Sequence, residues 1–157
     1  MVKQGMSIVL GKTSLSRLAG VHPELIRVVK RAALIALPSQ DFMVIQGVRT
    51  RQQMAENYGK GRTVSECLAK GVPAECAKPK EAKVTWLRDP YKSNHGAQGD
   101  GYGHAVDLGP YPLDWNDLEG FRELSRVMLS AAQQEGVEIV WGGTWTTPDA
   151  PHYELAK

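Results

Sequence analysis

The chain has 157 residues, a length that suits one domain with a sizeable core. Its 42% hydrophobic and 23% charged residues are those of an ordinary globular protein. A formal net charge of +2 with no block of Lys or Arg leaves no nucleic-acid footprint, and no apolar run is long enough to insert into a membrane.

At the N-terminus there is only a four-residue apolar patch around Ser7, too short for a signal peptide, so synthesis in a cytoplasm is expected. "VHPELIRVVKRAALIALP" (21–38) reads as a helix. Pro23 suits its first turn, Leu25, Val28, Val29, Ala32 and Ile35 recur at helical spacing, and Pro38 closes it. His22 reads as a polar residue opening that helix. "FMVIQG" (42–47) is a short apolar run of β-formers, a buried strand. A second helix follows, with Thr50 and Gln53 as a capping box and Gly59 as its end. Residues 60–91 mix charges, glycine and three prolines, with one short helix after Ser65. They read as a long excursion from the core, and loops of that length are usually functional or mobile. Residues 103–108 read as a strand. Residues 114–136 read as a helix with Leu118, Phe121, Leu124, Met128 and Ala131 on one face, ending at Gly136. "VEIVW" and "HYELA" read as closing strands. The mixture predicts one α+β domain over 1–157, built on a small, mainly antiparallel sheet. Cys67 and Cys76 do not form a C-x-x-C pair, and free thiols are expected.

The chemistry concentrates in "SNHGAQGDGYGHAVDL" (93–108). If 103–108 is a strand, Asp107 shares a face with the small residues Ala105 and Gly103, which leave room beside the carboxylate. His104 points the other way with Val106, so it is a poor partner for Asp107 and reads as structural. His95 lies across a glycine-rich loop that can fold back, making His95 and Asp107 the expected pair. A catalytic zinc needs a third ligand and an open fourth position. His152 supplies the third, with Asp149 three residues upstream as a carboxylate placed to take a proton from water. On residue types alone, a metal site and an ordinary polar loop are equally open.

The ordered elements Ser93-x-His95, Gly103-x-Ala105-x-Asp107 and Asp149-x-x-His152 resemble the signature of the LAS-type zinc peptidases. Within that group the chain is most similar to phage endolysins of peptidase family M15. "VIQGVRT", "DGYGHAVDL", "DWNDLEGF" and "PHYEL" carry the likeness over nearly the whole chain. Two features depart from the short signature: five extra residues between His95 and Gly103, and Asp149 where the dipeptidases carry Glu. The excursion is also longer than in compact members.

The resemblance implies a hedgehog/D,D-peptidase-like fold. It also implies one Zn2+ per chain on His95, Asp107 and His152, with Asp149 as general base. Arg49 would contact substrate or oxyanion, with Gln46 and Ser93 assisting. Glu154, on the face of His152, would support that ligand. Trp141 and Trp145 would line a groove or the core. The implied activity is cleavage of peptidoglycan stem peptides, at the L-Ala–D-Glu bond, for host lysis. Alternatives are a D-Ala-D-Ala carboxypeptidase or dipeptidase, a non-catalytic zinc-bound wall-binding module, or a metal-free α+β domain. The expected enzyme is a monomer without a separate wall-binding domain, suited to a thin-walled Gram-negative host. It would reach the wall after another protein opens the membrane.

Overall fold

The computed structural model describes residues 8–157. The start of the N-terminal apolar patch, Met6 included, lies outside them, while Ile8 and Leu10 join the core. A short helix that the sequence did not announce, α1 (Lys12–Arg17), lies beside the first strand. It has no side-chain cap at its start. Its Ser14 hydroxyl accepts the Val44 N–H at 3.0 Å, and Arg17 donates to the Val44 carbonyl at 2.9 Å. Those two bonds satisfy backbone groups on the outer edge of the sheet, which would otherwise be open for pairing.

Helix α2 (Pro23–Ile35) starts where the sequence places it, with His22 Nδ1 accepting the Glu24 N–H at 3.1 Å. Strand β1 (Phe42–Gln46) follows, then α3 (Arg51–Gly59), opened by the expected Thr50–Gln53 capping box. The end of α3 has a different cause from the expected one. Gly59 does not adopt a left-handed cap; a Cβ there would stand 1.9 Å from the Cys76 carbonyl oxygen, so close approach of the excursion demands glycine. Within the excursion, α4 (Val64–Ala69) begins at a Thr63–Glu66 capping box. Tyr58, Cys67, Val72 and Cys76 form a small core of their own there. Both thiols are free and buried.

Strand β2 (Ala105–Pro110), helix α5 (Leu118–Glu135) and strands β3 (Ile139–Trp141) and β4 (His152–Leu155) complete the α+β fold. The four strands are antiparallel in the order β1-β2-β4-β3. One face presents Phe42, Val44, Val106, Leu108 and Tyr153 to Leu25, Val28 and Val29 of α2 and to Leu124, Met128 and Ala131 of α5. Each such side chain contributes about 1.5–3 kcal/mol by leaving water. Leu118, expected on that face, is 57% exposed, because it stands at the first turn of α5, beyond the sheet.

Strand alternation sends Asp107, His152 and Glu154 to the opposite face of the sheet. β1 breaks its own alternation to match. Val44 pairs with Leu108, but the register then shifts so that Gln46 pairs with Asp107. Without that irregularity Gln46 would face the helices with Val44; with it, Gln46 comes to the polar face.

Candidate active site

Asp107 and His152 are direct partners across β2 and β4, so their side chains stand side by side. His95 joins them from the loop. The loop is tied down by the Arg49 N–H donating to the His95 carbonyl at 2.8 Å and by close passage of Gly103, where a Cβ would stand 3.0 Å from the His95 oxygen. Three atoms converge. His95 Nε2 lies 3.2 Å from Asp107 Oδ1 and 3.2 Å from His152 Nδ1, and His152 Nδ1 lies 3.4 Å from Asp107 Oδ1. Both imidazoles are buried.

The outer nitrogens define what faces inward. His95 Nδ1 is 2.9 Å from the Gly47 carbonyl, which can only accept, so this nitrogen carries the proton. His152 Nε2 is 2.7 Å from Glu154 Oε1 and is a donor for the same reason. In neutral rings, His95 Nε2 and His152 Nδ1 therefore both aim lone pairs at the Asp107 carboxylate, whose buried Oδ1 has no well-directed donor. Such a cluster calls for a cation. Ligand atoms about 2.0–2.1 Å from one tetrahedral centre stand about 3.3–3.4 Å apart, which is the spacing here. Two imidazoles and one carboxylate are also a donor set that suits zinc and leaves a fourth position open.

Without a cation the cluster favours a proton. Burial disfavours charge on His152, yet bonds to Asp107 and Glu154 outweigh it and hold this imidazole up at about 9. Burial likewise opposes charge on Asp107, but His152 and His95 hold its carboxyl well below the usual carboxylate range.

A second histidine–aspartate cluster, His22, Asp100 and His104, is built the opposite way. His104 Nε2 is 2.7 Å from Asp100 Oδ2, and His22 Nε2 is 3.8 Å from it. Because His22 Nδ1 already accepts the Glu24 N–H, the neutral ring carries its proton on Nε2, facing Asp100. The cluster braces the glycine-rich loop against the start of α2, where the His22 N–H donates to the Gly103 carbonyl at 2.8 Å. His104 thus bonds Asp100 and takes no part in the Asp107 cluster, the separation that the strand-face argument expects.

Around the three-atom cluster lies a cleft of about 370 Å³. Asp149 stands in its wall with Oδ2 3.9 Å from His152 Nδ1. Burial, then the Asp107 charge, pushes its carboxyl above the ordinary value, towards that of a useful proton acceptor. Burial works against the Arg49 guanidinium, while Asp107 and Asp149 favour its charge. Arg49 is held by Gln46 Oε1 at 2.9 Å and Ser93 Oγ at 3.4 Å. Ser93 Oγ also accepts the His95 N–H at 3.2 Å, so it orients His95 and Arg49 together.

The indole of Trp145 packs on His152, with ring centroids 5.1 Å apart. Trp141 instead supports the turn before β4, donating to the Ala150 carbonyl at 2.7 Å. Sequence reasoning missed the Gly47 carbonyl and four wall residues, Asn57, Lys60, Val84 and Thr85. Nothing in the local pattern marked them, since they come from the end of α3 and from the excursion.

Comparison with known proteins gives a consistent set of relatives. The family described as phage L-alanyl-D-glutamate peptidase matches residues 6–77 and 74–156. The L-alanyl-D-glutamate peptidase of Escherichia phage T5 is 32% identical over 155 residues, covering 97% of this chain and 92% of that protein. The crystal structure of Serratia marcescens L-Ala D-Glu endopeptidase ChiX is similar with a TM-score of 0.59 at 25% identity, over 94% of this chain and 90% of that one.

Proposed function

The chain belongs to the phage L-alanyl-D-glutamate peptidase family, and from that premise we propose that it is a zinc-dependent peptidoglycan peptidase that cuts the L-Ala–D-Glu bond of stem peptides. The observation that carries the metal part of this reading is the convergence of His95 Nε2, Asp107 Oδ1 and His152 Nδ1 at 3.2–3.4 Å. Those three residues would hold the ion. Zinc in such a site supplies Lewis acidity and brings the pKa of a bound water to about 7.

The chain's own groups account for the rest. Asp149 accepts a proton from the attacking water as the new C–O bond forms, and returns it to the leaving nitrogen as the C–N bond breaks. Arg49 directs donors at the carbonyl oxygen as negative charge collects there. Gln46 and Ser93 hold that guanidinium in place, so little reorganisation is needed during reaction. The Gly47 carbonyl and Glu154 fix the two imidazole tautomers. No helix among the described residues is long and apolar enough to cross a membrane. We place the enzyme's action at the cell wall, reached after a separate protein opens the membrane.

The deciding experiment is mass spectrometry of purified peptidoglycan digested by the zinc-loaded chain. The expected products are peptides with a new N-terminal D-Glu. Release of C-terminal D-Ala would instead assign carboxypeptidase activity to the same site, and an undigested wall would leave a binding module.

A further inference from the structure

Among the described residues, the cleft contains one cation that forms no ion pair and has no role in the mechanism above. Lys60 follows directly on α3 and lines the cleft together with Asn57, Arg49 and Asp149. Among the described residues it forms no ion pair with any carboxylate. Arg49, the other wall cation, is already engaged by Gln46 and Ser93. Lys60 and Asn57 also belong to the wall of a neighbouring groove of about 380 Å³, lined by Gln53, Glu75 and Lys78 among others. Lys60 therefore stands at the junction through which a peptide would leave the cleft.

The chemistry of the scissile bond specifies what arrives there. A glutamyl residue that continues a chain through one carboxyl leaves its other carboxylate free, a few bonds from the scissile nitrogen. With Asp107 engaged as a metal ligand, the cleft still presents the free carboxylate of Asp149, which repels such a group. A free ammonium on the wall offsets that repulsion and gives a charge-assisted bond to a substrate that carries the carboxylate. We infer that Lys60, with the Asn57 amide beside it, binds the free carboxylate of the D-glutamyl residue and sets the preference for that residue on the leaving side. This assignment rests on the peptidase reading above.

The test uses two stem peptides on the zinc-loaded full chain: one with the free D-glutamyl carboxylate, and one in which it is an amide of the same size. The wild type should favour the carboxylate by about tenfold or more in kcat/KM, expressed mainly in KM. Lys60→Met should bring the ratio close to one, Lys60→Arg should keep most of the preference, and Lys60→Glu should invert it. Because the ratio is taken within each variant, a change in the amount of folded protein cancels. An unchanged ratio in Lys60→Met, or a wild type that cuts both peptides equally, overturns the assignment and leaves the peptidase reading standing. A wild type that cuts neither peptide overturns the peptidase reading, and the assignment with it.

Discussion

At the scale of single residues, the two histidine–aspartate clusters differ in which ring nitrogens carry the protons. In the cleft, the outer nitrogens of His95 and His152 donate, so their inner nitrogens are free to bind a cation. At the loop, His22 Nδ1 accepts, so its inner nitrogen is a donor. Zinc content of purified variants should follow that distinction: His95→Ala, Asp107→Ala and His152→Ala lose the metal, while His104→Ala keeps about one ion per chain. A zinc-free His104→Ala beside a zinc-replete His95→Ala would reverse the assignment of the two clusters. Base and metal should also separate. Asp149→Ala should keep zinc and fold while wall-degrading activity falls by about 10²–10⁴-fold, as for a general acid–base group; full activity would move the base to Glu154. Arg49→Ala should lose roughly 10²-fold or more in turnover with near-normal melting, as for one oxyanion donor. Arg49→Lys, which keeps the charge without the planar fork, should be impaired less. Early melting of Arg49→Ala, with activity recovered in a cold assay, would make Arg49 structural.

At the scale of elements, one buried arginine adds to the small shared core that joins the excursion to α3. Arg62 stacks its guanidinium 3.9 Å from the Tyr58 ring centroid and donates to the Tyr58 and Thr85 carbonyls, each at 2.8 Å. Thr85 and Val84 are cleft wall, so Arg62 holds one side of the active site in place. Arg62→Ala should destabilise the chain by about 2–3 kcal/mol, the range for losing hydrogen bonds to a charged group, and should open 79–88 to limited proteolysis. Wild-type resistance to protease in that variant would show that the wall stands without it. Helix α5 offers a second test. It ends in Glu135, an acid at the end of the helix that disfavours negative charge. Arg31 at 2.8 Å and Arg27 at 3.2 Å, both from α2, compensate and hold the Glu135 carboxyl below its ordinary value. A lowered carboxyl pKa stabilises the fold above the unfolded value, and that stabilisation disappears as pH falls through the folded one. Glu135→Gln should therefore melt below wild type at pH 7, with the gap closing below about pH 4. A gap that persists at low pH would show that the pair acts by packing and not by charge.

At the scale of the whole molecule, the site is the seam between two separately packed parts. Sheet and helices α2 and α5 supply Asp107 and His152, whereas α3 and the excursion close the cleft from the other side. A cation that binds ligands from a strand pair and a loop stabilises only the folded arrangement. Free zinc at a thousand times its Kd should add about 4 kcal/mol to stability. Differential scanning of the chelator-treated chain, before and after adding zinc, reads this as a rise in Tm. No rise would argue against metal at the three-atom cluster.

The α+β class and the long helices were legible in the sequence because their causes are local, whereas the His95, Asp107 and His152 set was implied by the family resemblance and meets only across β2, β4 and the loop. Periodicity set the buried faces of α2 and α5, Thr50 with Gln53 set the start of α3, and strand alternation separated Asp107 from His104. The rest depended on contacts between distant residues. Helix α1 has six residues and no side-chain cap, and it is held by bonds to Val44 that no local pattern announces. Gly59 looked like a helix cap and is instead the point where the Cys76 carbonyl passes. Gln46 reaches the polar face only through a register shift against β2, which alternation along one strand cannot reveal. Lys60 stands at the end of α3, but Thr85 becomes a wall residue only once the excursion has folded back onto that helix. The sequence by itself determined which groups could do the chemistry, because their identity and spacing along one strand or helix fix what faces where. Only the tertiary structure decided what surrounds them, because cleft walls are built from segments whose separation in sequence carries no signal of their meeting in space.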